Sequence, residues 1–498
     1  MRVDCATLPK REFGILLHIT SLPGIGAQGG PGPDAYRFIE FLGRCGAAVW
    51  QVLPLVPTHA CGSPYNGESI HAGNHRLICV QQLFEDGLVS GTVYRAYAEK
   101  ERAARADPKL HLQVLRHAFQ DYRRLSSVRS EDSDGFYAEN ESWLPDYALY
   151  RVLREVNGES PWYQWPEPLR TREPDALARA RDRHRRQIEF VEFQQYLFWR
   201  QWRQLKRHAN AHDIRIMGDI PIFPAYDSAE VWCFPHYFQL DEDGSAVNVA
   251  GVPPDYFSAS GQRWGNPLYN WQRMQDDGFE WWLQRIRLQL GRFDLLRLDH
   301  FRGFESYWSI PAGNEDAKRG SWQSAPGNEL FEALQLSHRY LPLIAEDLGQ
   351  ITPAVDRLRR RFKLPGMRVL QFAFDGDANN PHLPHNHEEF GAVYTGTHDN
   401  PTTVGWFEGL DAREQERVYG YLGMPQEAMP WALIRTAMSS VSRLALLPLQ
   451  DVMGLDDGAR MNIPGTGAGN WSWRFDWPDL TDEAEHRLRH LASVYGRM

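Results

Sequence analysis

Three acidic residues stand at the polar ends of short apolar runs: Asp299 in FDLLRLDH, Glu346 in LPLIAEDLG and Asp399 in AVYTGTHDN. A glycosidic bond is broken with retention when one carboxylate attacks carbon and one carboxylic acid protonates the leaving oxygen. A third acid that holds the ring's hydroxyls helps distort the sugar. A (β/α) barrel gathers the residues at the carboxyl ends of its strands at one mouth, so these positions suit that chemistry.

The neighbours of these acids sharpen the reading. Arg297 lies two residues before Asp299, so on one strand both side chains face the same side. A cation there favours the ionised carboxylate that a nucleophile requires. Alone, RLDH also fits an Arg–Asp pair sealing a barrel end; beside the other polar strand ends it reads as chemistry. Glu346 follows Leu343, Ile344 and Ala345, and partial desolvation would raise its pKa towards that of a proton donor near neutral pH. Adjacent Asp347 competes for that role, although Glu has the longer reach and AEDLG also suits capping of a following helix. His398 precedes Asp399 in TGTHDN. No HxxxH or HExxH spacing accompanies it, so a metal is not expected. His300 and His398 fit hydrogen bonding to sugar hydroxyls, and the lack of a GxSxG elbow disfavours a Ser–His–Asp triad. Asp219 in IMGDIPIF suits either a structural role or the positioning of Arg297 or Asp299.

The elements that must carry these groups follow from the apolar runs. Eight segments read as buried parallel strands: 14–18, 48–53, 215–222, 294–299, 343–347, 367–372, 392–395 and 445–451. Helical patterns at 33–44, 276–290, 328–337 and 353–362 lie between several of them. Eight strand–helix units predict an α/β fold, a closed (β/α)8 TIM barrel spanning residues 1–498 as one catalytic unit. A mostly helical insertion is expected at about 84–185 between the second and third strands, and a loop-rich insertion bordering the cleft at about 226–275. The run IEFVEFQQYLFWRQWRQLKRHA between the first insertion and the third strand has the apolar spacing of a core-facing helix.

Composition narrows the partners. The net charge is −10 over 498 residues, which argues against a nucleic-acid surface and suits a neutral substrate. No apolar run reaches about 18 residues, so a membrane span is not expected, and the N-terminus lacks the apolar core of a signal peptide. Five cysteines without a CxxC pair favour reduced thiols in a cytoplasm. The 18 Trp, 20 Tyr and 24 Phe mostly fill a core. Tyr65 after the second strand, Tyr256 and Trp264 in the second insertion and Phe372 at the sixth strand's end could together stack sugar rings. Near the C-terminus a Gly-rich segment, RMNIPGTGAGNWSWR, brackets Asn462, Asn470, Trp471 and Trp473. It suits either a loop closing over a sugar or a turn packing Trp residues.

Runs covering nearly the whole chain, among them GILLHITSLPG, SPYN, GDIPIF, GVPPDYFSASGQRWGNPLY, LLRLDHFRG, AEDLG, YTGTHDN and RMNIPGTGAGNW, resemble the 4-α-glucanotransferases of glycoside hydrolase family 77, the amylomaltases or disproportionating enzymes. The resemblance is weakest near 84–185. It implies an α-amylase-type barrel in which Asp299 is the nucleophile, Glu346 the acid/base and Asp399 the transition-state stabiliser. It further implies support from Arg297, Asp219, His300 and His398, and glucan contacts from Tyr65, Tyr256, Gln262, Trp264 and Asn470. The expected substrates are maltooligosaccharides, amylose or glycogen-derived dextrins, and neither a cofactor nor a metal is expected. Two departures from the family pattern stand out. SPYNGESIHAGNH places Asn66, His71 and His75 where SPYQSxSAFAGNP is usual, and Pro401 follows THDN where an acid is common. Rival readings are a hydrolase using the same carboxylates and a glucan-binding protein without catalysis.

Overall fold

The structure is a computed structural model that describes residues 7–26, 28–104, 108–125, 131–254, 259–338 and 340–498. Its strands, in chain order, are β1 (Glu12–Leu16), β2 (Val49–Gln51), β3 (Arg215–Ile220), β4 (Asn248–Val252), β5 (Gln262–Pro267), β6 (Leu295–Leu298), β7 (Ser306–Pro311), β8 (Ser321–Ser324), β9 (Leu343–Ala345), β10 (Gly366–Val369), β11 (Gly391–Tyr394) and β12 (Leu444–Pro448). Eight of these form one sheet in the order β10-β11-β12-β1-β2-β3-β6-β9, and every pairing in it is parallel. The two ends of this order meet where Ala345 N donates to Pro365 O at 2.8 Å. Asp347, placed just past β9, accepts from Met367 N of β10 at 2.6 Å. The sheet is thus a (β/α)8 barrel, and each of the eight expected strands falls on one of its members. The observed strands stop sooner than expected at several carboxyl ends, because there the chain leaves the ladder to present its polar groups.

Strand parity decides where those groups point. Leu296 and Leu298 face the helices in the outer core, whereas Leu295 packs inside the barrel with Val49, Met217, Ile344, Met367, Val369, Ala392, Tyr394, Leu444 and Leu446. Arg297 and Asp299 share the parity of Leu295. Asp219 shares that of Met217, and Glu346 that of Ile344. The register sets Asp219 beside Arg297 and Arg297 beside Ile344. The apolar interior therefore forms a floor, and the charged groups stand one layer above it.

Helices cover the outside. The one at Pro33–Cys45 has proline in its first turn and ends on Gly46 in the left-handed region at φ 80°, the two signals that start and stop a helix locally. The pattern at 276–290 is observed as two helices, Trp271–Asp276 and Glu280–Arg292. Gly278 and Phe279 interrupt them at φ 72° and 63°. Between β2 and β3 lie the helices Gly91–Ala104, Pro108–Leu125, Glu131–Glu139, Leu144–Val156 and Pro174–Arg183, then the long helix Arg185–Ala211. That last helix buries Val191, Tyr196, Phe198, Trp202 and Leu205. It also holds the segment after β2: Gln195 accepts from Gly73 N at 2.7 Å and donates to Gly73 O at 2.9 Å. A Cβ at Gly73 would lie 1.9 Å from the Phe198 ring, so only glycine permits that approach. Residues 226–275, read as loop-rich, contain β4 and β5. With β7 and β8 they build a second, antiparallel sheet in the order β5-β4-β7-β8. Gly and Pro in this stretch hide the alternation that would have announced strands.

Candidate active site

Above the barrel floor Arg297 stands between two acids. Its Nη1 donates to Asp219 Oδ2 at 2.6 Å and its Nη2 meets Asp299 Oδ1 at 2.8 Å. Tyr65 OH donates to the same Asp219 oxygen at 2.6 Å. Burial works against the guanidinium's charge, but the two carboxylates outweigh it and hold the Arg297 pKa well above its usual value. Burial, reinforced by Asp219, likewise raises the Tyr65 pKa, so the phenol keeps its proton and remains a donor. Tyr65, Asp219, Arg297 and Asp299 thus form one hydrogen-bonded chain across β3 and β6.

Glu346 occupies a different environment. It is 9% exposed and receives two backbone donors, His300 N on Oε2 at 2.7 Å and Leu348 N on Oε1 at 2.9 Å. His300 can offer its N–H because its backbone sits in the left-handed region at φ 52°, an uncommon conformation for a residue with a Cβ. Burial pushes the Glu346 pKa up to about 8, with Arg297 opposing the rise and Asp299 adding to it. Asp299 and Glu346 therefore sit in one electrostatic cluster yet differ in kind: one has a guanidinium against it, the other is desolvated. Asp347 points elsewhere. It is buried against Arg359 and Arg368 at 3.3 and 3.2 Å and helps close the β9–β10 seam.

The third acid reaches the cluster from a loop. Asp399 follows β11 with its side chain 47% exposed, and His398 Nε2 lies 3.4 Å from Asp399 Oδ1. The His398 ring stacks on Tyr65 with centroids 5.2 Å apart and an angle of 13°. Trp471 lies 5.9 Å from both rings. On the far side the His300 ring meets Trp264 edge-on at 4.8 Å, and Trp264 Nε1 donates to Gln262 Oε1 at 3.1 Å. Burial lowers the His300 pKa to about 4, which leaves a neutral imidazole in the site.

Contacts therefore tie together Tyr65, Asp219, Arg297, Asp299, His300, Glu346, His398 and Asp399, with Gln262 and Trp264 on the rim. Phe372 lies at the end of β10 with its ring edge-on to His382 at 5.6 Å. Asn470 uses its amide within its own loop, accepting from Ile463 N at 3.0 Å and donating to Thr466 Oγ1 at 3.0 Å. Tyr256 lies outside the described residues. Among the described residues no group of three or more His, Cys, Asp and Glu is arranged to hold a metal ion.

Two groups near the acids escaped the sequence reading. His18 follows β1 with inward parity, and its Nδ1 is buried without a hydrogen-bond partner. Burial and the adjacent His398 hold its pKa down to about 3. The rule that singled out Asp299, a polar residue ending an apolar run, applies equally to GILLH. Arg460 donates to Asp399 O at 2.6 Å; only its place just before the Gly-rich turn hinted at a role.

Comparison with known proteins shows the family and the fold. A family model described as 4-alpha-glucanotransferase matches residues 17–481. The chain is 45% identical to a 4-alpha-glucanotransferase of Synechocystis, over 98% of this chain and 99% of the relative. It is 46% identical to a 4-alpha-glucanotransferase of Thermus thermophilus, with the same coverage. Among solved structures, an amylomaltase from Streptococcus agalactiae in complex with acarbose superposes with a TM-score of 0.94 at 37% identity, covering 98% of this chain and all of the other.

Proposed function

As the chain belongs to the 4-α-glucanotransferase family, glycoside hydrolase family 77, we propose that its double displacement runs through Asp299 and Glu346. The reaction transfers a segment of α-1,4-glucan from a donor to the 4-hydroxyl of an acceptor, through a covalent glycosyl-enzyme intermediate. A new bond of the same type replaces the old one.

In the first step Glu346 protonates the glycosidic oxygen while Asp299 attacks the anomeric carbon. In the second, Glu346 takes the proton from the acceptor's 4-hydroxyl as that oxygen attacks the β-linked intermediate. The contrast in environment carries this reading: Arg297 lies 2.8 Å from Asp299, whereas buried Glu346 has its pKa pushed up to about 8. A nucleophile must be ionised and a general acid protonated at the same pH. Asp399, half-exposed beside His398, holds the ring hydroxyls of the sugar being transferred. Arg297, Asp219 and Tyr65 fix the nucleophile, and the mechanism needs the two carboxyls about 5–5.5 Å apart.

Water competes at about 55 M, so transfer requires an acceptor held at an effective molarity that in well-oriented systems reaches about 10⁵ M. Trp264, 39% exposed on β5 and edge-on to His300, stacks the incoming sugar, together with Gln262 and Tyr256. Asn470 and Phe372 serve more distant glucan units. The substrates are maltooligosaccharides, amylose or glycogen-derived dextrins. The enzyme works in a cytoplasm, a compartment that suits the free thiols of Cys45, Cys61, Cys79 and Cys233. Incubation with maltotriose tests the reading. Glucose together with a ladder of longer chains is expected; products that are only shorter would overturn it.

A further inference from the structure

We propose that Asn462 is a positioning residue for the reaction, clasping Asp399 so that one carboxylate oxygen is fixed and the other is free for the sugar. The inference rests on the role given above to Asp399.

Asp299 and Glu346 inherit their aim from strand parity, but Asp399 does not. It lies in a loop with its side chain 47% exposed, and an exposed aspartate samples several rotamers. The loop after β12 supplies the restraint. Asn462 Nδ2 donates to Asp399 Oδ1 at 2.6 Å, and Asn462 N donates to His398 O at 3.1 Å. Arg460 Nη2 donates to Asp399 O at 2.6 Å, and its Nε donates to Asn462 O at 2.8 Å. Further along, Thr402 N donates to Asp457 Oδ1 at 3.2 Å. The two loops are thus stitched at backbone and side chain alike.

The bonds fall unevenly on the carboxylate. Oδ1 takes the Asn462 amide and lies 3.4 Å from His398 Nε2. Among the described residues no hydrogen bond reaches Oδ2. A carboxylate has about four acceptor sites, so this arrangement leaves Oδ2 to two sugar hydroxyls while Oδ1 sets its direction. An amide suits the position better than a cation: it orients the carboxylate without neutralising the charge that faces the developing oxocarbenium ion. The same turn places an aromatic wall, since Trp471 N donates to Met461 O at 2.8 Å and the Trp471 ring lies beside Tyr65 and His398.

The test compares Asn462→Ala, Asn462→Ser and Asn462→Asp with Asp399→Asn in maltotriose disproportionation, alongside melting temperature. Asn462→Ala is expected to lower kcat by about 10–100-fold, the scale of an ångström's misplacement, with KM and melting temperature close to wild type. Serine, which keeps a donor, should recover part of that loss. In Asn462→Asp two carboxylates face each other and share a proton at low pH, so activity should rise again as pH falls into the acidic range, a second limb, below the one expected near pH 8, that is absent from the wild type. Wild-type kcat and pH profile in Asn462→Ala, with Asp399→Asn inactive, would overturn the clasp alone. So would a lowered melting temperature with unchanged kcat per folded enzyme. Full activity in Asp399→Asn would instead remove the role of Asp399 itself.

Discussion

The acids at the ends of β6 and β9 and the groups that surround them off the barrel ladder are held under different constraints. Asp299 N donates to Ile220 O and Glu346 N to Leu298 O, each at 3.0 Å, so the ladder of the barrel fixes both residues in register. Trp264 on β5 is 39% exposed and the Asp399 side chain 47% exposed, and neither is held by the ladder of the barrel. In the proposed mechanism Asp299, Glu346 and the sugar-holding Asp399 set whether bonds break, and Trp264 on the rim sets which acceptor arrives. Changes at the three acids and their supports should therefore depress every reaction of the enzyme together, whereas changes at the Trp264 rim should redistribute products.

Asp299→Asn tests the ladder side most severely. Transfer and hydrolysis should both fall by about 10⁴-fold or more, measured as glucose release and chain lengthening from maltotriose; substantial residual disproportionation would remove Asp299 as nucleophile. Glu346→Gln should cost about 10²–10⁴-fold. In the wild type only protonated Glu346 can donate, so kcat/KM should decline as pH rises through about 8. That decline should vanish in the Gln variant, and its persistence there would assign it to another group. Arg297→Lys keeps the charge but loses the fork that spans Asp219 and Asp299. A loss of about 10²-fold in kcat is expected, with transfer and hydrolysis reduced alike. Trp264→Ala, on the rim, should change total turnover by only a few-fold while raising the ratio of hydrolysis to transfer. An unchanged ratio of glucose to new reducing ends would erase the distinction between the two regions.

Much of this was legible before folding. The eight buried strands announce themselves as largely apolar runs, because a parallel strand covered on both faces has few polar positions to break the pattern. The small sheet was not legible: β4 and β5 carry Gly251, Gly265 and Pro267, and such residues read locally as turns. The single helical pattern at 276–290 concealed its interruption at Phe279, since nothing in the side chains forbids continuation there. The sequence separated Glu346 from its neighbour Asp347 only by the longer reach of glutamate. Parity turns one to the mouth and the other to the seam with β10.

The chain alone determined which residue types could do glycosidic chemistry and that strands would end at them, because periodicity and composition are local properties. Tertiary structure decided the surroundings of each group. Arg297 lies beside Asp299, whereas burial raises the pKa of Glu346 against the two backbone N–H groups that donate to it. Likewise the bond from Asn462 to Asp399 joins residues 63 positions apart. Only the closure of the barrel brings their two loops together, since no local rule links residues so distant along the chain.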